Sequence, residues 1–331
     1  MALIDELKAR AQKINKTVAL SECESVNTIK LARRLKDEGL ALPVFVNDPE
    51  VISKTADKIG IDVSDIEVID TTDEAAMEDV VVAAYRLAPP KFTFDEFKAK
   101  FANPFGYAFM LESIGVVDTS FQGHTHTTAE VLMAALRIIG MAENINTASL
   151  FAIIETDGFV GPEGQALVFA DCALNPEPDA RKLASIAIST ADEVKAILGW
   201  EPRVAFLSFS TDGSGNSPSV TKMQEAVQIT KELRPDIKAD GEFQLDAAIR
   251  PKVAQTKVVR DSEVAGNANV LIFPDLNSAN IGIKLCQNLA GSNGFGHVLS
   301  GFKLPISDSS RGASIDEMIG DVVLLVLSSE N

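Results

Sequence analysis

Short hydrophobic runs alternate with longer amphipathic segments along the N-terminal part of the chain. The runs are TVALS, PVFVN and IEVID, at 17–21, 43–47 and 66–70. The segments that follow them place apolar residues at helical spacing, with Pro49 beginning one helix and Thr72 as the expected N-cap of another. Strands that alternate with helices of about ten to fifteen residues are typical of βαβ units and a mainly parallel sheet. The pattern therefore predicts an α/β fold.

A second series of strands and helices follows the polar stretch AENIN at 142–146, where we expect the chain to cross between two domains. Before this stretch, the prolines of APPKF interrupt the first series, and helical patterns lie at 94–101, 104–114 and 127–139. After it, strands are expected at 147–154, 165–170, 203–210, 269–274 and 297–302. Helices are expected at 179–198, 217–232, 277–289 and 315–327. A chain of 331 residues is long enough for two such α/β domains.

The composition is that of a globular protein with a strongly acidic charge balance. Apolar residues make up 46% of the chain, and 47 acidic side chains oppose 30 basic ones, for a formal net charge of −17. A surface of this sign repels nucleic acid and anionic membranes, so we expect neither as a partner. An anionic small substrate would have to be held by a local cluster of donors.

Cysteine and histidine are too few and too scattered for a zinc site. Cys23, Cys172 and Cys286 form no CxxC motif, so we expect no metal and free thiols in a reducing compartment. The segment 1–16 carries charge throughout and lacks the apolar core of a signal peptide. The apolar run 322–327 is too short to span a bilayer. These features favour a cytoplasmic protein.

The loop SDSSRGASIDE, at 307–317, concentrates hydroxyls, carboxylates and one guanidinium before the closing helix. Arg311 offers a planar donor fork suited to phosphate, and Asp316 and Glu317 are candidate bases. The alternative is a capping segment, in which Ser314 is the N-cap and the two carboxylates complement the helix dipole.

Two further loops precede predicted helices. In GHTHTTAE, at 123–130, a threonine caps the helix, and its hydroxyls and nearby N–H groups are candidate phosphate ligands. His124 and His126 have no third ligand nearby in sequence, so we expect structural or exposed histidines rather than metal ligands. The glycine-rich TDGSGNSP loop, at 211–218, is either an anion-binding helix start supported by Lys222 or a tight turn.

Five longer segments of the sequence, taken together, are similar to those of a known protein family. They are FADCALNPEPDARKLASIAI, EPRVAFLSFSTDGSGNSP, ADGEFQLDAAI, NVLIFPDLNSANIGIKL and SDSSRGAS. HTTAEVLMAALRIIG at 126–140 and LSECESVNTIKLA at 20–32 extend the set upstream, over nearly the whole chain. In this order, the segments resemble the phosphate acetyl/butyryltransferase family.

The resemblance implies a fold and a reaction. The expected fold is two three-layer α/β/α domains with mainly parallel sheets and an inter-domain cleft, like that of isocitrate and isopropylmalate dehydrogenases. The expected domains are 1–143 with 300–331, and 144–299. The family moves an acetyl or short acyl group between acyl phosphate and coenzyme A by direct thiolate attack. It needs no organic cofactor or tightly bound metal, and its members are usually homodimers.

The resemblance also implies roles for residues of this sequence. Ser310 and Arg311 match the family's Ser-Arg pair, which stabilises charge on the carbonyl oxygen and the leaving phosphate. The family's catalytic carboxylate aligns with Glu317, one step past Asp316, and either is a candidate base for the coenzyme A thiol. The expected substrate-binding residues are Thr127, Thr128, Lys257, Asn280 and Lys284.

Several positions depart from the family pattern. Asn27, Met133 and Asn288 stand where the family has arginine, and 88–91 replaces a basic segment. Each lost charge-assisted contact is worth about 1.5–3 kcal/mol. The first hypothesis is a working acyltransferase with rebuilt contacts, including one specific for propanoyl or butyryl groups.

Two other hypotheses remain open. One is a family paralogue with weakened catalysis that acts as a binding or partner protein. The other is a metal-dependent dehydrogenase of the isopropylmalate type, which requires an Asp cluster and a nicotinamide site that the sequence does not display. The persistence of the Ser-Arg pair, the carboxylates and the Thr-Thr loop favours the working acyltransferase.

Overall fold

The computed structural model describes residues 3–296 and 298–330. The strands are β1 (Thr17–Leu20), β2 (Leu42–Asn47), β3 (Glu67–Asp70), β4 (Thr119–Phe121), β5 (Ser149–Glu155), β6 (Ala166–Ala170), β7 (Arg203–Leu207), β8 (Lys238–Phe243), β9 (Val270–Ile272), β10 (Asn293–Phe295), β11 (Val298–Ser300) and β12 (Ile306–Ser307). The helices are α1 (Leu3–Ala11), α2 (Val26–Asp37), α3 (Pro49–Asp57), α4 (Glu74–Leu87), α5 (Phe94–Phe101), α6 (Pro104–Ser113), α7 (Thr128–Ala134), α8 (Ala180–Glu193), α9 (Pro218–Leu233), α10 (Leu245–Ile249), α11 (Pro251–Lys257), α12 (Leu276–Leu289) and α13 (Ile315–Ser328). Helices α7 and α8 continue into the π-helical turns Ala135–Ile139 and Val194–Leu198.

The chain divides into two compact units. One is Met1–Ala142 together with Phe302–Asn331, and the other is Glu143–Gly301. Both combine strands with helices: the strands of the first unit pair in parallel, and those of the second pair both in parallel and antiparallel, so the predicted α/β class is confirmed. The predicted strand at 297–302 is observed as β11, and His297 lies outside the described residues.

The sheet of the first unit is parallel, in the order β3-β2-β1-β4-β12. Helices α1, α2 and α13 pack together on one face, and α4 and α6 pack on the other. On the α6 side, Ala19 of β1, Val46 of β2 and Ala108 of α6 belong to one buried cluster. The small side chains of Ala19 and Ala108 allow the helix to lie close to the strands.

Helix α13 explains the apolar run near the end of the chain. Its residues 318–328 are buried on every side, including Asp321 and Ser328, as expected for a helix enclosed by other elements. None of the helices in the described ranges is both long and apolar enough to cross a membrane.

In the second unit, β9 lies between β6 and β7, and these strands run parallel to one another and to the edge strand β8. Strand β5 pairs antiparallel with β6 and, on its other side, with β10 and β11. Helices α8 and α9 pack together against this sheet.

Local side-chain chemistry decides where the helices begin. Thr127 and Ser314 cap α7 and α13 through capping boxes, as expected. The predicted N-cap Thr72 of α4 is wrong, because the carboxylate of Asp73 accepts the N–H of Ala76 instead. Thr72 donates its N–H and its hydroxyl to Asp70, so its hydroxyl serves the preceding turn.

A buried carboxyl group lies between α6 and β4. Glu112 is only 3% exposed, and it accepts a hydrogen bond of 2.6 Å from the hydroxyl of Ser120. Burial raises the pKa of Glu112 well above its ordinary value of 4.5, because the single hydroxyl donor does not replace lost water. Glu112 is therefore protonated in the folded protein at pH values where the unfolded chain has released the proton.

The first prediction concerns the pH dependence that follows from Glu112. Because the folded pKa is raised, the contribution of Glu112 to stability is lost as the pH rises above about 4.5. We expect Glu112→Gln to gain unfolding free energy relative to the wild type, and to gain more at pH 8 than at pH 5, measured by urea denaturation. Glu96→Gln, at an exposed carboxylate whose pKa is lowered by Thr93, is the control and should show no gain at pH 8. Equal differences at both pH values would show that Glu112 does not stay protonated.

Candidate functional site

The carboxyl ends of three neighbouring parallel strands meet at one edge of the first unit's sheet. Strand β4 pairs with β1 on one side and with β12 on the other, so the segments that follow each strand lie side by side. In open parallel sheets, ligands bind beyond the carboxyl ends of the strands. The loops after β4 and β12 are the two that carry the predicted Thr-Thr and Ser-Arg residues.

The loops after β4 and β12 are in direct contact. Ser307 donates its hydroxyl to the carbonyl of Gln122, and the N–H of Ser309 donates to the same carbonyl at 3.0 Å. Gly123 adopts φ +93°, and a Cβ there would lie 2.8 Å from the backbone nitrogen of Ser309. The close approach of the two loops therefore requires glycine at position 123.

Glu22, in the turn after β1, organises the loop after β4. Its carboxylate is 3% exposed and accepts the N–H groups of His124, Thr125 and His126, at 2.7–3.1 Å. The hydroxyl of Thr125 and Nδ1 of His126 also contact Glu22, each at 2.7 Å. Burial raises the pKa of Glu22, but the hydrogen bonds from His126 and Thr125 outweigh it, so the pKa lies below its ordinary value.

His126 is held on two sides. Because an ionised carboxylate only accepts hydrogen bonds, Nδ1 of His126 carries the proton shared with Glu22. The imidazole stacks on Phe105 of α6, with ring centroids 3.9 Å apart and planes 18° apart. The hydrogen bond with Glu22 raises the pKa of His126. These contacts are those of a histidine with a structural role.

Thr127 and Thr128 follow directly after this anchored segment. Both are exposed, and the hydroxyl of Thr127 takes part in the capping box with Glu130. Hydrogen bonds from Thr127 lower the pKa of Glu130, and the positive charge of Arg311 adds to the effect. Arg311, in the Ser-Arg loop, therefore lies close enough to Glu130 of α7 to act on its charge.

Ser310 and Arg311 are exposed at the start of the loop after β12. The guanidinium of Arg311 forms neither a hydrogen bond nor an ion pair with any residue in the ranges 3–296 and 298–330. The hydroxyl of Ser310 accepts the N–H of Gly312 at 3.3 Å and keeps its own proton for a further acceptor. Both side chains are therefore available to an anionic ligand.

The two candidate bases differ in their surroundings. Asp316 forms an ion pair of 2.6 Å with Arg34 of α2, and this contact lowers the pKa of Asp316. Glu317 accepts the N–H of Ser314 at 2.7 Å, while the hydroxyl of Ser314 accepts the N–H of Glu317. The capping interpretation of this segment is confirmed, and the same carboxylate remains exposed beside the Ser-Arg loop.

Three buried polar atoms at this edge lack a partner among the described residues. They are Nε2 of Gln122, Nδ1 of His124 and Oγ of Ser309. Nε2 of His124 lies 3.4 Å from the amide nitrogen of Asn27. Since buried polar groups in folded proteins are nearly always paired, these atoms mark a place where water or a ligand supplies the partner.

The other predicted substrate-binding residues belong to the second unit. Asn280 and Lys284 lie on α12 and line a cavity of about 200 Å³, whose walls include Cys172. Leu150, Ile154, Ile283 and Phe295 make most of the lining apolar. Lys257 is not part of this cavity: its ammonium group pairs with Asp246 at 2.8 Å and donates to Gln244. The structure thus brings Asn280 and Lys284 together and leaves Lys257 apart from them.

The backbone donors of both glycines in the loop 211–218 are engaged within the protein. The N–H of Gly213 donates to the buried carboxylate of Glu242, and the N–H of Gly215 donates to Ser210. Lys222 donates to the carbonyl of Pro274 at 2.7 Å. Of the two interpretations of this loop, these contacts favour the tight turn, because an internal carboxylate and a hydroxyl already occupy the two glycine donors.

Residues outside the predicted set contribute to the site. Glu22, Gln122 and Phe105 were not predicted, because their importance depends on strand β4, whose three residues are too few for a periodic pattern. No group of three or more His, Cys, Asp or Glu side chains within the described part of the chain is arranged to hold a metal ion.

The chain is similar to known proteins over nearly its whole length. A family model described as Phosphate acetyl/butaryl transferase matches residues 2–326. The chain is 39% identical to phosphate acetyltransferase of Clostridium acetobutylicum, over all of this chain and 99% of that protein. It is also similar to two solved structures, each over 99% of this chain and 98% of the other. They are EutD phosphotransacetylase from Staphylococcus aureus (TM-score 0.88, 32% identity) and a phosphotransacetylase from Streptococcus pyogenes (TM-score 0.89, 33% identity).

Proposed function

The chain belongs to the phosphate acetyl/butyryltransferase family, and on this premise we propose that it is an enzyme that moves an acetyl group between acetyl phosphate and coenzyme A. The thiol of coenzyme A loses its proton to a carboxylate of the enzyme. The thiolate sulfur then attacks the carbonyl carbon, the bond between that carbon and the phosphate oxygen breaks, and phosphate leaves with the bonding electron pair. In reverse, phosphate attacks the thioester.

Arg311 carries the proposal, because it supplies a free guanidinium where the reaction develops charge. The chain has a net charge of −17, so an anionic substrate needs a local cation that is not already neutralised. Arg311 has no ion-pair partner among residues 3–296 and 298–330, unlike Arg34, which pairs with Glu38 and Asp316. The hydroxyls of Ser310 and Thr128 add neutral donors for the phosphoryl oxygens, and the hydroxyl of Thr127 joins them when it turns away from Glu130, to which it donates in the capping box.

Glu317 is the proposed base. Asp316 is held in an ion pair with Arg34, which lowers the pKa of Asp316 and makes it a poor proton acceptor. Glu317 accepts a hydrogen bond from the backbone of Ser314, so its carboxylate is fixed relative to the loop that carries Arg311. A thiol of pKa about 8.5 requires such a base to react rapidly near pH 7.

In the second unit, we assign substrate binding to Asn280 and Lys284, which share an apolar cavity. Lys257 is proposed to contribute only once its contact with Asp246 opens. The reaction requires no organic cofactor or resident metal, and coenzyme A enters as a substrate. Cys23, Cys172 and Cys286 are unpaired thiols, which supports the proposed cytoplasmic location.

The second prediction tests the reaction and the role of Arg311 together. We expect the wild type to form acetyl-coenzyme A from acetyl phosphate, with propionyl and butyryl phosphate defining its chain-length preference. Arg311→Ala should lower kcat by about 10²–10³, because a charge-assisted donor to the developing anion is lost. Arg311→Lys should recover only part of the rate, because an ammonium group lacks the planar fork.

Arg33→Ala is the matched control, since Arg33 is a half-buried arginine of the same unit that pairs with Asp37 and Asp65. Steady-state kinetics of the four proteins, with thermal unfolding curves, give the result. Wild-type inactivity toward every acyl phosphate, in a folded protein, would contradict the proposed function. An Arg311→Ala enzyme with the wild-type rate would contradict only the role of Arg311.

The third prediction separates the two carboxylates. Glu317→Gln should lower kcat by about 10²–10⁴ near pH 7, because the thiol then lacks a positioned base. The loss should shrink as the pH approaches the pKa of the free thiol. Asp316→Asn, one residue away and equally exposed, should stay within a few-fold of the wild type. The opposite ranking would transfer the role to Asp316.

We also propose that the enzyme is a homodimer, as the family resemblance implies. Helix α12 exposes Ile281, Leu285 and Leu289 on one stripe, to 58%, 52% and 80%. Apolar residues four apart on a helix form a continuous stripe, which self-association would remove from water.

The fourth prediction follows from this stripe. The wild type should sediment as a dimer, and Leu285→Lys should shift it toward monomer at micromolar concentration, because a charge would be buried at the contact. Leu42→Lys, at an exposed leucine of the first unit, should leave the sedimentation coefficient unchanged. A monomeric wild type would contradict the proposal.

A further inference from the structure

Glu22 is an internal anion around which the loop after β4 is wrapped. Three successive backbone N–H groups, of residues 124–126, point to one carboxylate, and the Thr125 hydroxyl and His126 Nδ1 join them. Successive N–H groups of this kind form the concave arrangement in which proteins hold anions. Here the anion is supplied by the chain itself, 102–104 positions earlier in sequence.

The wrapped loop ends where the proposed phosphate ligands begin. Thr127 follows His126 directly, and Thr128 is the first residue of α7. Any movement of the segment 124–126 therefore carries the two threonines with it. A displacement of about 1 Å at a reacting group is enough to lose much of the benefit of orientation.

The side chain of His126 connects the loop to Glu22 in addition to the backbone hydrogen bonds. Its ring plane is fixed by stacking on Phe105, and Nδ1 is thereby directed to Glu22. Phe105 lies in α6, so the loop is tied both to the turn after β1 and to a helix on the sheet. The side chain of His126 therefore connects three elements, which are the turn after β1, helix α6 and the loop after β4.

We propose that Glu22 and His126 are positioning residues of the transfer site, which hold the loop so that Thr127 and Thr128 face the phosphoryl group of the acyl phosphate. This inference rests on the proposed function and adds to it a role for residues that do not themselves contact substrate. It requires that losing the Glu22–His126 contact weakens binding of the phosphoryl group more than binding of coenzyme A.

The fifth prediction uses the geometry of amide side chains. In His126→Asn, the amide nitrogen sits two bonds from Cβ, as Nδ1 does, and retains a donor for Glu22. In His126→Gln, the amide is one atom farther out, and the donor for Glu22 is lost. We expect His126→Gln and Glu22→Gln to raise KM for acetyl phosphate about tenfold, with KM for coenzyme A within twofold of the wild type. His126→Asn should stay within about threefold for both substrates.

Asp118→Asn is the control for a merely structural effect. Asp118 accepts hydrogen bonds from Thr17 and Lys16, and so it ties the opposite, amino ends of β1 and β4. Its loss should lower the Tm without a selective change in KM. If Glu22→Gln behaves like Asp118→Asn, or if all variants keep the wild-type KM values, the inference is overturned. If His126→Asn is as impaired as His126→Gln, the imidazole acts by another contact, and the positioning role of the hydrogen bond between His126 and Glu22 is refuted.

Titration of the same proteins with inorganic phosphate in a calorimeter supplies a readout that needs no turnover. We expect Glu22→Gln and His126→Gln to bind phosphate about tenfold more weakly than the wild type and His126→Asn. An inactive wild type that shows this ranking would refute the proposed function and leave the positioning role standing. Equal phosphate affinity in all variants would refute the positioning role, whatever the activity. Should Glu22→Gln fail to fold, the His126→Asn and His126→Gln pair decides the outcome.

Discussion

The parallel pairing of β4 with β1 and β12 is the constraint on which the site depends. These strands come from the beginning, the middle and the end of the chain, and only their pairing brings 21–25, 122–128 and 307–314 to one edge. Strand β4 contributes three residues and β12 only two. The contacts between the loops themselves, such as Ser309 with the carbonyl of Gln122, therefore share in fixing the geometry.

Much of the fold follows from local sequence. The alternating runs predict the longer strands and most helices, and N-caps such as Thr127 and Ser314 are visible as hydroxyl residues three positions before a glutamate. The pattern does not predict β4 or β12, because a strand of two or three residues has no measurable period. Thr72 and Asp73 are both good N-caps. Asp73 takes this role because the hydroxyl of Thr72 donates to Asp70 instead.

The site is less predictable than the fold, because its chemistry depends on partners that are distant in sequence. Lys257 looks like a candidate cation until Asp246 is found beside it, and the donors of Gly213 and Gly215 look free until Glu242 and Ser210 are found. Arg311 shows the opposite outcome, since no carboxylate in the described ranges forms an ion pair with it. Residue type identifies which groups are capable of binding an anion, but only the surroundings determine which of them remain available.

Glu22 and Glu112 show how far surroundings decide the chemistry of one residue type. Both carboxyl groups are 3% exposed, and both lie in the first unit, one in the turn after β1 and the other facing β4. Glu112 receives a hydrogen bond from Ser120, its pKa is raised by burial, and it is a neutral part of the core. Glu22 receives backbone, hydroxyl and imidazole donors that outweigh burial, so its pKa is lowered and it remains an anion. A buried charge is retained only where several donors replace the lost water, and such a set of donors can form only if a loop closes around the charge. The ionised state of Glu22 and the conformation of 124–126 therefore depend on each other, so the loop that carries the proposed phosphate ligands is held in place by an internal carboxylate.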